Sequence, residues 1–182
     1  MRIRYSALFA SLVLVAAAAW SSELPAPPPD YSWRKVPAIK AAFLVPSGWH
    51  VREQQDGKTL AIFITEKAFA PPESFEVGLS VNVFLETPSA PVQLKRMLDQ
   101  VSAAHGVQLS QGSLGPFATL SCKYDSNRDG GLEPVRIFQL GIANADTRTS
   151  YLVTFESPVS EWARAWKIGK PIVDALALET AL

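Results

Sequence analysis

One cysteine, Cys122, stands in a chain of 182 residues, so no internal disulfide can form. A lone thiol carried into an oxidising space is safest buried. Histidine is nearly as scarce. His50 and His105 lie far apart, with no HxH, HxxxH or CxxC spacing to gather metal ligands, and both are read as structural or surface groups. Neither charge sign is in surplus, with 17 Lys+Arg against 17 Asp+Glu, and no basic run is present, which argues against nucleic acid as a partner. The glycines form no GxGxxG or phosphate loop, and "GLSVN" is not a G-x-S-x-G nucleophile elbow. No catalytic residue, metal ligand or cofactor-binding residue is therefore assigned, and no cofactor is expected. The longest apolar run, Tyr5 to Ala19, falls short of the ~20 residues a bilayer-crossing helix needs.

What is present begins with that run. Basic "MRIR", the apolar "YSALFASLVLVAAAA" and small residues around Ala17 to Ala19 have the three-part layout of a secretory signal peptide, residues 1–19. The expectation is an exported protein, periplasmic or extracellular, with no stable membrane insertion after cleavage; the alternative is an uncleaved anchor. Losing Arg2 and Arg4 leaves 15 basic against 17 acidic residues, a net charge of about −2. Residues 20–37 hold Pro25, Pro27, Pro28, Pro29 and Pro37, which favour extended polyproline geometry and read as a spacer. The ~160 residues after the signal are enough for one core without a covalent staple, so residues 38–182 are taken as one domain.

Within it, "AFLV" is a short apolar strand, "PSG" a turn, and "WHVRE" alternates, with Trp49, Val51 and Glu53 on one side and His50 and Arg52 on the other. The Asp-Gly pair of "QQDG" suits a tight hairpin turn into "LAIFI", whose unbroken apolar run predicts a strand covered on both faces. In "EVGLSVNVFLE", Val77, Leu79, Val81, Val83 and Leu85 share a core face opposite Gly78, Ser80, Asn82 and Phe84. Thr87 or Ser89 caps a helix with the stripe Leu94, Met97, Leu98, Val101 and Ala104, ended by Gly106. "FATLSCKY", "VRIFQLGIA" and "SYLVTFE" are strands. A last helix starts near Ser157 and Pro158, carries Trp162 and Trp166 on one face as core anchors, and is expected to break or bend at Gly169 and Pro171. Consecutive strands with short turns favour antiparallel pairing, giving an α+β fold, an antiparallel β-sheet sandwiched by helices.

The order "AFLVPSGWHVRE", "DGKTLAIFITE", "FEVGLSVNVF", helix, strands and terminal helix resembles the PsbP-like family of photosystem-associated and bacterial proteins. The resemblance covers much of Phe43 to Leu182, and its one local element is "VPSGW". It implies an antiparallel sheet between helical layers and a noncatalytic accessory or binding role. It supplies no functional residue here. On the residues themselves, the expected activity is binding through protein–protein or small-ligand contacts, the partner or ligand being unidentified. Ser80, Asn82, Thr119, Ser121 and Gln139 form a binding cleft if their strands bring them to one face. The alternative is a small secreted hydrolase whose acids, serines or Cys122 converge only in three dimensions; the place of Cys122 beside Leu120 and Tyr124 on one strand face reads instead as core.

Overall fold

The computed structural model describes residues 24–57, 59–70, 74–87, 89–127 and 133–178, so residues 1–19, expected as a signal peptide, lie outside it. The elements in chain order are β1 (Tyr31–Val36), β2 (Ala41–Pro46), β3 (His50–Asp56), β4 (Thr59–Thr65), β5 (Gly78–Phe84), α1 (Ala90–His105), β6 (Ser110–Leu114), β7 (Phe117–Ser126), β8 (Val135–Asn144), β9 (Thr149–Pro158), α2 (Trp162–Asp174) and β10 (Ala177–Leu178). The expected α+β class with a large antiparallel sheet holds. Seven strands run in the order β3-β4-β5-β9-β8-β7-β6, each neighbouring pair antiparallel.

A second, three-stranded sheet, β1-β2-β10, was not foreseen. Its first strand lies inside the presumed spacer: Tyr31–Val36 pairs with β2 along its whole length, from Tyr31 opposite Pro46 to Val36 opposite Ala41. For those six residues the spacer reading is corrected. The prolines cluster at 25–29, before the strand, and leave its amide donors intact. "WHVRE" and "LAIFI" do form the hairpin, β3 with β4, turning at Gly57.

Strand parity sorts the large sheet into two faces. One carries Ile62, Ile64, Leu79, Val81, Val83, Val153, Phe155 and Ile142, all at most 1 % exposed. The main core sits here, closed from above by Phe43, Leu44 and Ile39 around β2 and by Trp162, Ala165, Ile172 and Val173 of α2. Helix α2 was expected to break at Gly169 or Pro171, but it runs through both to Asp174. Gly169 serves close approach instead, because a Cβ there would meet the Phe155 ring at 2.2 Å. Trp162 is 8 % exposed, stacks on Trp166 with ring centroids 5.2 Å apart and meets Phe155 edge-on at 5.6 Å, so Trp162 is core as expected and Trp166 packs, partly buried, against it.

The opposite face carries α1, whose buried Leu94 and Leu98 lie against Gly141 of β8. Ser89 occupies its N-cap without a side-chain cap bond, and Gly106 ends it with φ 64°. On the same face, Phe63 of β4 is covered by Phe69 and Phe75 at 5.3 and 6.1 Å, which supply the second cover expected for "LAIFI".

Candidate functional site

Pairing register decides which of the candidate polar residues meet. Reading across six strands, Arg52, Phe63, Ser80, Thr154, Gln139 and Cys122 stand opposite one another in a single row on the face bearing α1. Asn82 belongs to the next row of the same face, paired with Leu152 and Ala61. Ser80, Asn82 and Gln139 therefore come together. Thr119 and Ser121 do not: they pair with Ile142 and Leu140 and face the main core side, which corrects the five-residue cleft. Strand β7 pairs Cys122 with Gln139, so its odd positions take the other face, a phase that no single-strand pattern contains.

The centre of the row is small and polar. Ser80 is 8 % exposed, Gln139 Nε2 donates a long hydrogen bond of 3.5 Å to Thr154 Oγ1, and Gln139 Oε1 is shielded from solvent with no partner among the described residues. Sequence reasoning missed Thr154, although its alternation with Val153 and Phe155 in "YLVTFE" marks it as opposite to the core. At one end, Arg52 Nη1 donates to the Phe69 carbonyl at 3.3 Å, and its guanidinium lies 5.6 Å from the Phe69 ring centre. At the other, Cys122 is 4 % exposed and burial pushes its thiol pKa up. A thiol held protonated is a poor nucleophile. The His105 ring stacks on Tyr124 at 4.0 Å, and among the described residues no hydrogen bond joins it to Cys122. His50 is exposed on β3, five strand spacings from β7, or about 24 Å.

The remaining residues of "WHVRE" are fasteners. Glu53 binds Arg34 of β1 at 2.9 Å, tying the large sheet to the small one, while Trp49 packs half-buried against the core. Three hollows lie outside the row. One of about 340 Å³ is bordered by His105, Tyr124 and Arg136, and there Arg136 makes a two-pronged pair with Asp125 at 2.7 and 2.8 Å that holds the Asp125 carboxyl below its ordinary pKa. A second, also about 340 Å³, lies where β5 ends and β9 begins, and a third of about 190 Å³ separates Leu114–Phe117 from Leu176–Leu178. Among the described residues, no three His, Cys, Asp or Glu side chains gather as a metal site, and no helix is long and apolar enough to cross a membrane.

No protein-family model and no curated protein matches this chain. Solved structures do. Cyanobacterial PsbP from Synechocystis superposes with a TM-score of 0.57 at 11 % identity, over 88 % of this chain and 99 % of that one. The Ran-binding protein Mog1p of Saccharomyces cerevisiae gives 0.48 at 14 % identity, over 83 % and 96 % of the two chains. A Bacteroides thetaiotaomicron structure also gives 0.48, at 13 % identity over 77 % of this chain, which spans 45 % of that protein. The chain thus has a PsbP-like fold, as its order of elements suggested; at these identities the likeness is one of fold.

Proposed function

We propose that this protein is an exported, noncatalytic binding module that holds a partner protein or small ligand across the row Ser80, Thr154 and Gln139. One observation carries the reading: the large sheet spends one face on the main core and keeps a polar strip at the centre of the other, flanked by α1 and by the Phe63, Phe69 and Phe75 cluster. Polar side chains in mid-sheet between apolar walls can orient a guest by hydrogen bonds while the walls shield it from water. The helices, one over Gly141 and one over Phe155, are the outer layers of a sandwich in this reading. Export rests on the layout of residues 1–19, and binding in place of catalysis is supported by the buried, protonated thiol of Cys122.

The test is a photo-crosslinking residue placed at Asn82, beside the row, and in a control at Val92, which is 68 % exposed on α1. Cells exporting each variant are irradiated. A discrete adduct from Asn82 and none from Val92 supports the row as the working surface. Equal capture from both positions, or adducts from Val92 alone, removes it.

A further inference from the structure

Near the end of the large sheet where β5 stops and β9 starts, Lys40 at φ 52°, Glu86 at φ 52° and Arg148 at φ 53° are non-glycine residues in the left-handed backbone region, and Ser89 at φ 54° follows close by. Such residues cluster where a fixed geometry is needed and the surroundings hold it in place. Here the surroundings do hold it. Lys40 N donates to the Pro37 carbonyl at 3.1 Å, Thr87 N to the Arg148 carbonyl at 2.8 Å, and Tyr151 Oη to the Ile39 carbonyl at 2.9 Å, lacing three separate turns around one hollow.

That hollow, about 340 Å³, has the size of a small-molecule site. Ile39, Leu85 and the ring of Tyr151 make its apolar wall, and Lys40 and Glu86 stand on it with Thr147. The two charges differ in engagement. Lys40 is half-buried and makes no ion pair or side-chain hydrogen bond with a described residue, whereas Glu86 is already engaged. Thr147 Oγ1 is shielded and unpartnered among the described residues. A lysine beside an apolar wall selects an anion with an apolar body, and the Glu86 carboxylate bordering the same hollow repels one of higher charge.

We propose that this hollow binds a small organic monocarboxylate, its carboxylate on Lys40 Nζ and its apolar body against Ile39, Leu85 and Tyr151. The site is separate from the Ser80–Gln139 row and stands or falls without it. Octanoate is the probe, and octan-1-ol, equal in length but uncharged, is the control, each titrated into the ¹⁵N-labelled chain. Octanoate is expected to shift the amides of Lys40, Glu86 and Thr147 with a Kd on the order of 1 mM, at least about tenfold tighter than the alcohol. Lys40→Gln should abolish that preference and Lys40→Arg keep it. Shifts confined to other regions, no shift at all, or equal binding of acid and alcohol by the unaltered chain would overturn the proposal. So would a folded Lys40→Gln variant that still prefers the acid. Should Lys40→Gln not fold, the comparison of acid with alcohol on the unaltered chain decides alone.

Discussion

At Gly169 the ring of Phe155 fills the space a side chain would take, and the size of a methyl group sets a measurable cost there. Helix propensity alone favours Gly169→Ala by about 1 kcal/mol. Overpacking opposes it by about 1–3 kcal/mol, and at 2.2 Å the collision falls at the upper end, so urea denaturation should show a net loss of about 1–2 kcal/mol. An unchanged midpoint would mean that α2 can lift from the sheet without penalty. Trp162 stands on the same contact. Trp162→Ala removes a ring packed on Trp166 and Phe155 and should cost about 3–5 kcal/mol by the same measurement; a loss below about 1 kcal/mol would place the ring outside the core. Cys122 makes the third residue-scale case. Burial and a raised pKa both suppress the thiolate, so a disulfide reagent should label the native protein slowly at pH 8 and the urea-unfolded protein within its mixing time. Fast native labelling would return Cys122 to consideration as a nucleophile.

Elements whose pattern reflects one buried face were legible in the sequence, and those shaped by their partners were not. Strand β5 could be read because Leu79, Val81 and Val83 alternate with Ser80 and Asn82, and α1 because Leu94 and Leu98 recur before a glycine stop. Strand β6, "SQGSL", is almost wholly exposed and β10 has two residues, so neither carries a periodic signal. The misplacing of Thr119 and Ser121 has a related origin, since only the partner strand fixes which parity faces α1. Gly169 and Pro171 were misread because packing against Phe155 outweighs their helix-breaking tendency. The tie between α2 and the end of β4 is equally hidden, joining Arg164 to Glu66 at 2.7 and 3.0 Å. The hydrogen bond from Arg164 holds the Glu66 carboxyl below its ordinary value of 4.5, so the pair's stabilisation is full above that pH and fades as pH falls through the lowered folded-state pKa. Arg164→Met should therefore lower stability modestly at pH 7, because both partners are partly exposed, and that difference from the unaltered protein should vanish between about pH 5 and pH 3. Parallel pH profiles for the two proteins would rule out this tie as an acid-sensitive one.

On the scale of the whole molecule, the first question is which chain folds. Export with cleavage near Ala19 predicts an intact mass lacking residues 1–19 in protein recovered from the exported compartment; recovery of Met1 there would favour a retained anchor. The order of manufacture then matters. Strand β2 takes its near partner, β1, from the segment just before it, but its other edge waits for β10, and the lid over Phe155 waits for α2. When β9 has just been made, all seven strands of the large sheet exist and their most apolar side has no helix above it. The stretch from Val159 to Leu178 closes that side, and at about 5–20 residues per second the ribosome needs about 1–4 s to supply it. Until α2 docks, that side has only β2 over it, and a holding chaperone would find its grip there and lose it once Trp162 and Ile172 pack.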